Sequence, residues 1–226
     1  MIQLNDLMRL DCLKGLKCIV FDCDGVLIDS YDANMRYYGM VKETLGLPPL
    51  TPDEKVYVHS HTHKEGLEYI TPEDRFEDAW KFQEGFHYKD LLPYLKLSDG
   101  LHELLWWLRD AGFLMAVNTS RTDTMPLILN QFDLEPYFHP VITSADVRRP
   151  KPNAEGMHRI MAKLNVEAHE IAFIGDTAVD MRTARNSGVR FWAYGDELLD
   201  ADVHISDFWT LRRLLHRAYE GAGRII

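Results

Sequence analysis

Two aspartates one residue apart, Asp22 and Asp24, follow the short apolar run Cys18-Ile19-Val20-Phe21 and precede Gly25. Further along, Thr119 and Ser120 close another apolar run, Lys151 stands between two prolines, and Asp176 follows a glycine, with Asp180 one helical turn on. Carboxylates gathered in one place repel one another, so such a group needs a cation among them. A hard, octahedral, oxygen-seeking ion such as Mg²⁺ meets that need, held by one or two carboxylates with water and substrate phosphate filling the rest. The matching chemistry is phosphoryl transfer, which requires an in-line nucleophile and positive charge on the equatorial oxygens. Asp22 is read as the nucleophile, passing through an aspartyl phosphate. Asp24 is placed to protonate the leaving alcohol and then to deprotonate the attacking water. Asp22 and Asp176 are read as metal ligands with the backbone carbonyl of Asp24. Asp180 joins the metal group by orienting a ligand or a metal-bound water. Lys151, Thr119 with its neighbour Ser120, and the N–H groups of the turn after Asp22 are expected to hold phosphate oxygens. Gly25 gives that turn its permissive backbone.

These residues meet only if a fold carries them to one edge. Short, nearly uncharged runs at 18–21, 113–117, 141–143, 171–174 and 189–193 read as strands buried on both faces, with 203–205 as an edge strand. Amphipathic stretches at 101–111, 122–132, 153–164, 178–187 and 208–219 read as helices between them. The alternation predicts an α/β fold, a Rossmann-like doubly wound parallel sheet, in which all the strand carboxyl ends share one edge. About seventy residues between the first strand and the helix at Leu101 break the rhythm, far more than an ordinary connection. They read as helices over 31–45, one or two short helices over 53–70, and a helix over 72–88 that continues through 90–95. The predicted organisation is a catalytic core of 1–30 and 97–226, with a small all-helical cap, 31–96, inserted after the first strand.

The net charge of −10 argues against nucleic acid as a partner, since a binder needs a basic face. It also means that a phosphate ester must be met by local positive charge. The three cysteines, Cys12, Cys18 and Cys23, form neither a disulfide framework nor a zinc motif and suit a reducing compartment. No apolar run approaches membrane-spanning length, and the first residues lack a basic head followed by an apolar stretch. The expectation is a cytoplasmic protein, monomer or homodimer, acting on a small phosphorylated metabolite without membrane or nucleic acid partners.

The stretch from Phe21 to Ser30, FDCDGVLIDS, closely resembles the first motif of the haloacid dehalogenase-like superfamily. Val117-Asn118-Thr119-Ser120 resembles the second motif, Pro150-Lys151-Pro152 the third, and Gly175-Asp176 through Asp180 the fourth, in the family's order. The helical insertion resembles the cap of the phosphoglycolate phosphatase and β-phosphoglucomutase branch. The resemblance implies Asp22 as nucleophile, Asp24 as acid/base, and Mg²⁺ on Asp22, Asp24 and Asp176. It also implies phosphotransfer rather than dehalogenation, from the aspartate at position 24. Asn153 and Ser120 depart from residues common in the family.

Plainer readings stand beside these. A lone D-x-D-G is as often an ordinary turn, Lys151 alone a solvated loop lysine, Thr119 a helix cap, and Asp180 a surface residue. Arg121, Arg148 and Arg149 read as surface arginines that could add positive field. Trp106 and Trp107 read as packing, with one ring partly exposed. The histidines of His59-Ser60-His61-Thr62-His63 read as a polar cap surface rather than zinc ligands. On a single helix, His59 and His63 would share a face. His61, Thr62 and His63 are the candidates for contact with the leaving group. The leading function is a Mg²⁺-dependent phosphatase. A phosphomutase of the β-phosphoglucomutase type and a non-enzymatic phospho-receiver are the alternatives.

Overall fold

The structure, a computed structural model, describes residues 10–61 and 63–220. In chain order it contains β1 (Cys18–Phe21), β2 (Ile28–Asp29), α1 (Tyr31–Thr44), α2 (Pro52–Ser60), α3 (His63–Ile70), α4 (Phe76–Gly85) and β3 (Lys96–Leu97). There follow α5 (Leu101–Ala111), β4 (Leu114–Asn118), α6 (Met125–Gln131), β5 (Val141–Ile142), α7 (Glu155–Leu164), β6 (Ile171–Gly175), α8 (Ala178–Ser187), β7 (Arg190–Tyr194), β8 (Val203–Ile205) and α9 (Phe208–Ala218). Two compact units result, one running to Ile28 and resuming at Leu97, the other Asp29–Lys96.

The first unit is a parallel sheet of order β5-β4-β1-β6-β7-β8. Strand order reverses around β1, which pairs in parallel with both β4 and β6. Because side chains alternate across a strand, β1 feeds two cores. Cys18 and Val20 join Met157, Ile160, Phe173, Ala184 and Phe191 on one face. Phe21 meets Phe208 of α9 on the other, with ring centroids 6.3 Å apart. Helices α7 and α8 pack together, as do α5 and α9. Each fully buried Leu or Phe of these layers contributes about 1.5–3 kcal/mol against exposure. The result is an α/β, Rossmann-like doubly wound sheet with its strand carboxyl ends on one edge.

Strand boundaries differ from expectation by a residue or so. Helix α6 starts at Met125 rather than Thr122, because Pro126 has no N–H and suits only a first turn. Helix α7 starts at Glu155, whose N–H is accepted by the Asn153 side chain at 3.0 Å. The long segment is not wholly without strands: β2 and β3 form a two-residue ladder where the chain leaves and re-enters the first unit. Among the described residues, no helix is long and apolar enough to cross a membrane.

The second unit is helical. Thr51 and Glu54 form a capping box at the start of α2. Glu54 also receives the buried Lys42 ammonium at 2.7 and 2.8 Å. Tyr37 anchors an aromatic cluster with Phe82, Phe86 and His63.

Candidate active site

The sheet register brings the chemistry together. Phe21 is level with Val117 on one side and Ile174 on the other. The next residues out are therefore Asp22, flanked by Asn118-Thr119 and by Gly175-Asp176. The Asp22 N–H donates to the Ile174 carbonyl at 2.9 Å, extending the ladder to the nucleophile candidate itself. Asp22 is buried, as are Thr119 and Asp180.

Lys151 supplies the positive charge. Its Nζ lies 2.8 Å from Asp22 Oδ1 and 2.7 Å from Asp180 Oδ1, with the side chain 4% exposed. Its contact with Asp22 Oδ1 is an ion pair rather than a well-aligned hydrogen bond. Asp180 has a second task. Its Oδ2 accepts from the N–H and the hydroxyl of Thr177, closing the capping box of α8. The Thr-x-x-Asp spacing that starts the helix thus also fixes the carboxylate that holds Lys151.

One ammonium cannot balance three carboxylates, two of them buried and the third, Asp176, partly so. Asp22, Asp176 and Asp180 each place a ligand atom within 4.8 Å of the others. Burial pushes Asp176 up to about 8, with repulsion from Asp22 and Asp180 adding to it. Burial likewise raises Asp22 to about 7, against the pull of Lys151. Burial alone would lower Lys151, but Asp22 and Asp180 outweigh it and hold the ammonium charged. These directions are mutually consistent: the lysine keeps its proton because it faces two anions, and the carboxylates resist ionising because they are too many for it.

Asp176 Oδ1 is buried with no hydrogen-bond partner among the described residues. An oxygen in that condition is costly unless something positive reaches it. With both Asp180 oxygens engaged, Asp22 and Asp176 carry the donor atoms that fit a hard divalent cation.

The turn after Asp22 is tight. Gly25 has φ +72°, and a β-carbon there would sit 1.9 Å from Asp176 Oδ2. Leu27 N–H and Ile28 N–H donate to the Cys23 carbonyl at 2.8 and 3.1 Å, and Gly25 N–H donates to the Ile28 carbonyl at 2.8 Å. The expectation that the turn's N–H groups hold phosphate is corrected at these three positions, which close the turn itself.

Thr119 does not cap a helix: its Oγ1 accepts the Arg121 N–H at 3.1 Å, folding the Thr119-Ser120-Arg121 segment back on itself. Ser120 has an exposed side chain, and its carbonyl accepts the Ser144 hydroxyl at 2.9 Å. Arg121, expected at the surface, is instead 13% exposed and grips Asp24 with two bonds of 2.7 Å. Sequence spacing gives no sign of that pair.

In the helical unit the histidines separate. His59 lies in the last turn of α2 with its ring against Tyr31, and His63 opens α3, so they do not share one helix face. The chain turns extended at His61, which stacks on Tyr57 with centroids 3.8 Å apart. His63 Nε2 is 2.8 Å from the Tyr37 hydroxyl, and burial lowers its affinity for a proton. Thr62 lies outside the described residues. Trp106 is exposed, and Trp107 packs on Phe113 and His216.

Comparison with known proteins agrees with this geometry. The family model described as haloacid dehalogenase-like hydrolase matches residues 19–194. A phosphoglycolate phosphatase of Chromobacterium violaceum is 27% identical over 201 residues, covering 84% of this chain and 90% of that protein. A pyrophosphatase of Halalkalibacterium halodurans is 24% identical, over 77% of this chain and 81% of that one. The crystal structure of a subfamily IA hydrolase of the same superfamily from Geobacter sulfurreducens is 30% identical, with a TM-score of 0.82 over 89% of this chain and 97% of that one. With its sheet, its acidic edge and its sequence all in agreement, the chain belongs to the haloacid dehalogenase-like hydrolase family and is an enzyme of that family.

Proposed function

We propose that this hydrolase is a Mg²⁺-dependent phosphatase that cleaves a small phosphorylated metabolite through an aspartyl phosphate on Asp22. One observation carries the reading: a buried nucleophile candidate lies 2.8 Å from a lysine ammonium and beside a carboxylate oxygen without a partner. The phosphatase names of several relatives support it. Mg²⁺ held by Asp22 and Asp176 would supply the positive charge that lets a carboxylate approach a phosphate dianion.

Asp22 attacks phosphorus, and the bond to the leaving oxygen breaks with its electron pair on that oxygen. Asp24 gives that oxygen a proton. Water then attacks the aspartyl phosphate and passes a proton to Asp24. The Asp22–phosphorus bond breaks, inorganic phosphate leaves, and both aspartates return to their starting states. Lys151 has three N–H donors, two of them facing Asp22 and Asp180, and its third suits a phosphate oxygen. Asp180 keeps the ammonium in place. Thr119 is assigned to the phosphate site by its position at the end of β4. The inserted helical unit is proposed as the cap that selects the leaving group, with His61 and His63 as its candidate contacts.

The test is release of inorganic phosphate from a panel of small phosphate monoesters. Parent enzyme with Mg²⁺ turns over repeatedly, and a chelator stops it. Asp22→Asn lowers kcat on the order of 10⁴-fold or more with an unchanged circular dichroism spectrum. An Asp22→Asn protein as active as the parent refutes the assignment.

A further inference from the structure

Arg121 stands directly after the Thr119-Ser120 pair, and every part of it is tied down. Its Nε and Nη2 donate to Asp24 Oδ2 and Oδ1, both at 2.7 Å. Its Nη1 donates to Thr124 Oγ1 at 3.1 Å. Its backbone N–H donates to Thr119 Oγ1, and its carbonyl accepts the Ser144 N–H at 2.9 Å. The guanidinium cannot rotate without breaking several of these bonds at once.

Asp24 is in the opposite condition. Its side chain is 41% exposed, against 13% for Arg121, so packing does little to choose its rotamer. A two-bond fork fixes the plane of a carboxylate as well as its position, which a single ammonium contact does not. An ordinary exposed ion pair has neither the largely shielded cation nor the additional anchor on Thr124.

We propose that Arg121 is a positioning residue for proton transfer: it holds the carboxylate of Asp24 in the plane from which the leaving oxygen is protonated. The inference rests on the phosphatase reading, in which Asp24 supplies that proton. The bond to phosphorus breaks with its electrons on the leaving oxygen; Asp24 gives that oxygen the proton from one of its own oxygens while the other stays bonded to Arg121, and the carboxylate left behind is the doubly paired form seen here. An alkoxide leaving group needs that proton as the bond breaks, whereas p-nitrophenolate is stable without it.

The leaving group therefore separates the possibilities. The experiment measures kcat/KM for an alkyl phosphate and for p-nitrophenyl phosphate with the parent, Arg121→Ala, Arg121→Lys, Asp24→Asn and the Asp24→Asn/Arg121→Ala double variant, in Mg²⁺. Arg121→Ala is expected to lower the alkyl value about 10²-fold and the aryl value less than about tenfold. Arg121→Lys preserves charge and bulk, so it guards against a folding defect, and it is expected to recover little of the alkyl rate. The double variant is expected to match Asp24→Asn within about twofold, because the two residues act as a unit. Equal losses on both esters would instead make Arg121 a direct phosphate ligand and overturn the proposal. So would a double variant whose losses multiply, or a full rescue by lysine. A parent that turns over neither ester overturns the phosphatase reading, and this inference with it.

Discussion

Two buried lysines divide the molecule. Lys42, in the helical unit, is 6% exposed and meets one carboxylate, Glu54, through both of its oxygens. Glu54 also serves the capping box of α2, so this pair is complete and joins α1 to the start of α2. Lys151, at the sheet edge, is 4% exposed and meets two carboxylates, while a third, Asp176, retains a buried oxygen with no partner among the described residues. Burial and residue type are the same in both places, but the charge balance differs. A balanced buried pair holds structure, whereas an unbalanced cluster keeps a demand for a ligand, and that is where chemistry is to be sought.

Removing each lysine tests the contrast. Lys151→Ala should have the largest effect. It leaves two buried carboxylates and the partly buried Asp176 facing one another, costs about 3–5 kcal/mol in urea unfolding of the metal-free protein, and lowers kcat on the order of 10³-fold. Lys42→Ala should cost about 2–3 kcal/mol, less than a fully buried pair because Glu54 keeps partial contact with solvent, and leave kcat within about twofold. A Lys42 variant whose catalysis falls as far as that of the Lys151 variant would break the comparison.

The smallest effect is a matter of pH. Asp22 and Asp176 rise from 3.8 to about 7 and about 8 in the folded state. Between those values and 3.8 the folded protein keeps protons that the unfolded chain has released. The metal-free protein therefore loses stability as pH rises from about 4 to about 8. Saturating Mg²⁺ should raise Tm by about 2–5 °C at pH 8 and by less at pH 5, read by thermal melts at both values. A larger shift at pH 5 would contradict the charge-balance account.

The sheet edge was the more legible region. Apolar runs that give way at Asp22, at Asn118-Thr119 and at Asp176 reveal both the strands and their ends, because a strand buried on two faces has almost no polar residues until it leaves the sheet. Lys151 gained meaning from its place in that series. The Arg121–Asp24 pair was not legible: the residues are separated by 97 positions, and nothing local distinguishes a partly buried, paired arginine from a solvated one. The histidine run was legible only in part. The four-residue step from His59 to His63 would put both on one face of a single helix, but the chain becomes extended at His61 and each ring finds its own aromatic neighbour. Lys42 has no local mark either, because its partner Glu54 comes from the next helix.

The volume beside Gly25 has a lasting implication. Even the smallest addition, a methyl group, would land on Asp176 from a backbone that side chains rarely adopt, so a substitution here has to displace the carboxylate. Any other residue at this corner would meet that carboxylate before it met anything else, so the bare space over Gly25 is itself a component of the acidic edge.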